Sequence, residues 1–164
     1  MSRKMKRIWK GVAAGAAGGL AGAWAMNQFQ ALWSQTVSSG GSGNGADESA
    51  TIKAARTLSE KVLGHCLGER EKKAAGAAMH YVFGTANGAL YGALAALAPK
   101  TRAGAGTAFG AGLFLVADEL MVPLLGWSKP PQKYPLSSHA YGLASHLVYG
   151  AAADEVRGLV LRAL

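Results

Sequence analysis

Residues 11–33 read GVAAGAAGGLAGAWAMNQFQALW, twenty-three consecutive positions without a charge. Wound as an α-helix at 1.5 Å per residue, the stretch is about 35 Å long, enough to cross the roughly 30 Å hydrocarbon layer of a bilayer. Arg3, Lys4, Lys6, Arg7 and Lys10 stand just before it. That is how a juxtamembrane segment meets anionic lipid and stays on the cytoplasmic side. A basic lead and the small-x-small triplet Ala23-Trp24-Ala25 also fit the outline of a cleaved signal peptide. The length of the run and the further apolar runs downstream favour a span.

Those further runs cover about 75–98, 103–125 and 137–156. The reading is all-α, one membrane domain over 1–164, a bundle of four transmembrane helices with a short amphipathic helix between the first and second. Composition agrees: 50% of residues are hydrophobic and 16% charged, against about a quarter charged in an ordinary soluble domain. The net charge of +8 does not point to nucleic acid, because no basic stripe is interleaved with aromatic residues.

The segment 34–74 divides in two. Ser38 to Gly45 is a Gly/Ser linker. From Glu48 to Leu63, Ile52, Ala55, Leu58 and Val62 recur at helical spacing opposite Lys53, Arg56, Glu60 and Lys61. This predicts an amphipathic helix that packs on the membrane surface or on the end of the bundle, with Gly64 ending it. Ser137 or Ser138 is the expected cap of the last helix. Trp127, Tyr134 and Tyr141 are expected near one membrane face. The dense N-terminal basic block sets both termini on the cytoplasmic side, although the loop 34–74 carries basic residues of its own. Cys66 is the single cysteine, so no intrachain disulfide forms; it reads as a tolerated small residue.

In lipid, small residues and interhelical hydrogen bonds replace the hydrophobic force between helices. Gly11, Gly15 and Gly19 form a stripe on the first helix and Gly84, Gly88 and Gly92 on the second. Gly106 and Gly110 do so on the third, and Gly142 and Gly150 on the fourth. The stripes predict close packing but leave open whether the partner is in the same chain, a second copy or a larger membrane complex.

No lysine or arginine falls within the four spans, yet four acids do: Asp118, Glu119, Asp154 and Glu155. Such groups are costly in lipid, about 2.5–3.5 kcal/mol at mid-helix on insertion scales, and face the bundle interior. Counted from the span ends, Asn27, Gln28, His80, Asp118, Glu119, His139 and His146 share one half of the bilayer, with Asn87 extending the face of His80 deeper. Asp154 and Glu155 lie near the opposite surface, where solvation accounts for them. The cluster reads either as a network of structural hydrogen bonds or as a proton- or cation-responsive site, since histidine titrates near pH 6.5. His80, Glu119 and His146 are the metal candidates, being ligand types suited to zinc or iron. No cofactor is required by the sequence. No nucleophile elbow of the G-x-S-x-G kind accompanies Ser137, Ser138 or Ser145.

Several stretches carry a resemblance. They are Ser128-Lys129-Pro130-Pro131, Tyr134-Pro135-Leu136-Ser137-Ser138-His139, Ala144-Ser145-His146-Leu147-Val148-Tyr149-Gly150, Ala23-Trp24-Ala25-Met26-Asn27, His80-Tyr81-Val82-Phe83-Gly84, and Ala117-Asp118-Glu119 with Pro123. In these the chain resembles the YagU-like family of small bacterial inner-membrane proteins, over nearly all its length except the linker. The resemblance implies a multispan inner-membrane protein linked to acid tolerance and supplies no catalytic residues. The expected function is therefore a non-enzymatic, proton- or cation-responsive membrane protein. An accessory subunit of a larger complex and a membrane enzyme with an unidentified substrate stand beside it as alternatives.

Overall fold

The structure, a computed structural model, describes residues 1–37 and 48–164. The Gly/Ser linker expected at Ser38 to Gly45 lies outside the described residues. Those residues are all-helical: α1 (Arg3–Val37), α2 (Ala50–Leu58) running into a π-helical end (Ser59–Leu63), α3 (Glu69–Leu97), α4 (Thr107–Leu113), a π-helical stretch (Phe114–Met121), α5 (Val122–Leu124) and α6 (Leu136–Ala163). Short 3₁₀ turns at Pro99–Arg102 and Pro131–Lys133 complete the connections.

Glycine decides how the long helices meet. A Cβ on Gly15 would strike the Gly88 carbonyl oxygen and the Gly92 Cα, and one on Gly19 the Gly84 carbonyl oxygen and the Gly88 Cα. Gly11 faces Gly92 in the same way. The residue numbers of the three pairs add to one constant, so α1 and α3 run antiparallel with their backbones in contact. The glycine stripes of these helices thus find each other within the chain. Gly106 meets the Gly150 carbonyl and Gly110 the His146 carbonyl, which sets α4 against α6. Gly18 abuts Ala153 and Gly22 abuts Tyr149, which sets α1 against α6. Helix α1 is therefore the central element.

Small residues fill the helix contacts, with Ala14 and Ala23 fully buried, beside the larger Tyr91 and Tyr149. What is exposed is large and apolar, including Leu20, Trp24, Val82, Leu115, Val116 and Leu124. One described helix, Thr107–Leu124, is long and apolar enough to cross a membrane. In the other long helices, glycines, amides and histidines lower the mean hydropathy.

The helix ends differ from expectation at definable places. The third helix was expected from about 103 but begins at Thr107, because Gly104, Ala105 and Gly106 all take positive φ and form a left-handed turn that no helix continues through. The last helix starts at Leu136 after Pro135, with no side-chain cap hydrogen bond. Ser137 and Ser138 lie inside it rather than capping it, because Pro135 is suited by its fixed φ to the N-cap place. Its far end extends past 156 to Ala163.

Helix α2 is capped by Ser49, whose side chain accepts from Ile52 N, and the π-turn after it ends at Gly64 with φ 64°, as expected. Its Ile52 packs on Gly76 of α3, at the end of the bundle. Lys72 bridges back to Glu48 at 2.7 Å. The hydrogen bond to Lys72 lowers the Glu48 carboxyl, and the Gly68 N–H donating to Glu71 lowers that carboxyl likewise.

Candidate functional site

The acids of the third span sit on an unusual piece of helix. Phe114–Met121 is π-helical, a rare winding that widens the turn and is frequent at functional sites. Glu119, on this stretch, accepts from His139 Nδ1 at 2.7 Å. The other ring nitrogen of His139, Nε2, faces the Pro131 carbonyl at 3.1 Å. Both nitrogens therefore face acceptors, and the ring fills both bonds only when it carries two protons. About three-quarters of each side chain of this pair is buried.

Asp118 and His146 form a second, looser pair about two turns along α6. Asp118 Oδ2 is 3.8 Å from His146 Nδ1, which donates to the Gly142 carbonyl at 2.9 Å. His146 is buried and Asp118 half-exposed, at 46%. The Phe114 ring lies 5.6 Å from the imidazole of His146. Asp118 is also within electrostatic reach of Glu119 and His80. Over Glu119 and His139 lies a cavity of about 210 Å³, walled by Asp118, Phe114 and Val122 and roofed by Ser128, Lys129 and Tyr134 of the loop before α6.

The remaining residues of the expected cluster go elsewhere. His80 Nε2 lies 3.3 Å from the Ala23 carbonyl, and Asn27 donates to the Tyr81 hydroxyl at 3.2 Å; both tie α3 to α1. Asn87 donates to the Phe83 carbonyl of its own helix, and Gln28 is exposed. The metal candidates His80, Glu119 and His146 are thus drawn to different partners. Among the described residues no three His, Cys, Asp or Glu side chains are grouped so as to hold a metal ion. Tyr141, two residues along α6 from His139, stacks with Phe29 at 6.3 Å and lies 5.7 Å from Trp33.

The opposite end holds a polar centre that sequence reasoning did not anticipate. Asp154 is not solvated: it is 4% exposed and bound by Arg102, whose Nε and Nη2 lie 2.9 and 3.0 Å from its two oxygens. Arg157 is also buried and donates to Asp154 Oδ1 at 3.2 Å. Its guanidinium lies 5.7 Å from the Tyr91 ring centre. The bond to Asp154 raises the Arg102 guanidinium above its ordinary value. Glu155, by contrast, is exposed. The signal that was available is the three-residue spacing of Asp154 and Arg157, which places them on one helix face.

Comparison with known proteins supplies a family. The family model described as a protein of unknown function, DUF1440, matches residues 59–155, more than half of the 164. The chain belongs to the DUF1440 family. No curated protein and no solved structure matches it. The DUF1440 segment contains both members of the Glu119–His139, Asp118–His146 and Arg102–Asp154 pairs, whereas α1 and Arg157 lie outside it.

Proposed function

We propose that this DUF1440 protein is a four-span protein of the bacterial inner membrane whose acid–histidine pairs respond to protons, in keeping with the YagU-like resemblance and its link to acid tolerance. The four spans are supported by the inverted distribution of side chains: leucine, valine and tryptophan outside, glycine and alanine at the helix contacts. Backbone contact at glycine suits association in lipid, where apolar surface between helices gains little. The observation that carries the proton-responsive reading is His139 held between two acceptors, Glu119 and the Pro131 carbonyl, beside a cavity. Gain or loss of one proton there makes or removes a hydrogen bond between α6 and its neighbouring segments. That is a charge change converted into a packing change.

Two measurements test the two halves of this reading. With the N-terminus inside, the loop between α1 and α3 lies outside, and Cys66, which is exposed, reports on it. A membrane-impermeant maleimide is expected to label Cys66 in intact spheroplasts; labelling only after permeabilisation would reverse the orientation. Side-chain ¹⁵N histidine spectra of the full chain in detergent test the site. The His139 midpoint is expected to move on Glu119→Gln, because the two side chains share a hydrogen bond. A His139 midpoint indifferent to Glu119→Gln would count against proton coupling.

A further inference from the structure

At the end of the bundle away from Glu119, five cations surround one cavity. Arg3, Lys6, Arg7 and Lys10 recur on α1 at spacings of three and four, so they share a single face. That face turns toward the ends of α3 and α6 and lines a cavity of about 540 Å³ together with Arg157, with Ala95 and Leu161 as its apolar wall. This volume is that of a small-molecule site, about 300–1,000 Å³.

Among the described residues that line it, none is acidic. Lys10 Nζ donates to the main-chain oxygen of Leu164 at 2.7 Å. Arg157 reaches one acid, Asp154, which already takes a forked pair of bonds from Arg102. The Arg157 Nε is buried without a hydrogen-bond partner. The four α1 cations are exposed, and they rim an opening whose floor is the buried Arg157 guanidinium. Like charges gathered in this way repel unless an anion sits among them.

We infer that this cavity binds a phosphate-bearing anion, with a phospholipid headgroup as the natural source. Guanidinium and ammonium groups match phosphate oxygens in charge and hydrogen-bond geometry. Basic pockets between membrane helices on the cytoplasmic side recognise anionic headgroups. Trp9, 59% exposed on the same turn of α1, has the amphipathic ring favoured at headgroup level. The apolar wall of Ala95 and Leu161 leaves a place for the first part of an acyl chain beside the charged rim.

The lipid source rests on the membrane reading above; the phosphate chemistry does not. Native mass spectrometry of the full chain in a neutral detergent, with phosphatidylglycerol or phosphatidylcholine added, tests the headgroup. Phosphatidylglycerol is expected to be retained about tenfold more than phosphatidylcholine. The triple variant Lys6→Gln/Arg7→Gln/Lys10→Gln is expected to lose that preference by about tenfold or more, at roughly 1 kcal/mol per basic residue. The triple variant Lys53→Gln/Lys61→Gln/Arg70→Gln removes the same charge far from the cavity and is expected to leave retention within about twofold, as a local rather than a net-charge effect requires.

Equal retention of the two lipids, or equal losses in the two triple variants, would overturn the site. The single variant Arg7→Gln, with helix content checked by circular dichroism, keeps the test valid if the first triple misfolds. Titration with inorganic phosphate, followed by ³¹P line broadening, separates the sources. Broadening that the cavity triple abolishes, with competition against the lipid, assigns the cavity to the free anion; lipid retention without competition assigns it to the headgroup. A chain that stays soluble without detergent would end the membrane reading, and the ³¹P titration would still decide the cavity.

Discussion

Replacing Gly88 with leucine is expected to abolish the native bundle, and Gly88→Ala to destabilise it by about 3 kcal/mol, the upper range for overpacking a well-filled contact. A Cβ there meets the Gly15 carbonyl oxygen and the Gly19 Cα and N, all of them backbone. No rotamer change relieves such a contact; α1 and α3 have to separate, and with them go the neighbouring contacts at Gly84 and Gly92. Gly112 is the control within the same molecule. It lies in helix α4 with nothing within 4 Å of an added Cβ. Gly112→Ala is expected to be neutral or to stabilise by up to about 1 kcal/mol through helix propensity. Thermal unfolding of the purified full chain in detergent, followed by circular dichroism, compares the three variants. Similar melting of Gly88→Ala and Gly112→Ala would mean that the α1–α3 backbone contact does not hold the fold.

Asp154→Ala is expected to destabilise the protein by about 3–5 kcal/mol, the range for breaking one side of a buried ion pair. The loss falls chiefly on Arg157, whose side chain is 6% exposed and whose Nε has no partner even in the intact protein. Without Asp154 it is a buried cation left with the Tyr91 ring and the other cations around the cavity. Arg102 suffers less, because half of its side chain reaches solvent. Removing both members, in Asp154→Ala/Arg157→Met, is expected to restore part of the stability, since the apolar pair leaves no buried charge. Glu155→Ala, on the neighbouring exposed residue, is expected to stay within about 0.5 kcal/mol. Chemical unfolding of the four proteins side by side measures this. A double variant less stable than Asp154→Ala would show that the ion pair is not what couples these residues.

The two centres lie at opposite ends of one helix. His139 and His146 begin the polar face of α6, and Asp154 and Arg157 continue it toward the far end. Between them Tyr149 donates to the Gly84 carbonyl at 2.6 Å, fixing α6 to α3. Helix α6 thereby joins the Glu119–His139 pair, the glycine-packed middle and the basic cavity on one rod.

The helical stretches, the glycine stripes and the termination at Gly64 are legible in the residues themselves, because each depends on one helix alone. An apolar run, a four-residue repeat or a positive-φ glycine needs no partner to be recognised. Depth along the axis is legible for the same reason; it groups Asp118, Glu119, His139 and His146 toward one end of the bundle, and the structure pairs Glu119 with His139 and Asp118 with His146.

Rotation is not legible. Whether Glu119 meets His139 or His146 depends on how the helices are turned about their axes, and the π-winding of Phe114–Met121 alters that turn without any residue that announces it. Likewise, Asp154 has no cation within its own apolar stretch. Arg102 reaches it only because the left-handed turn at Gly104 to Gly106 folds the chain back, and Arg157 only because α6 continues past 156. The sequence by itself determined which segments are helical and how far along each axis its polar groups lie. Only the packing of backbones through glycine decided which of those groups touch, because contact between two helices depends on their mutual rotation, and no single strand of residues contains it.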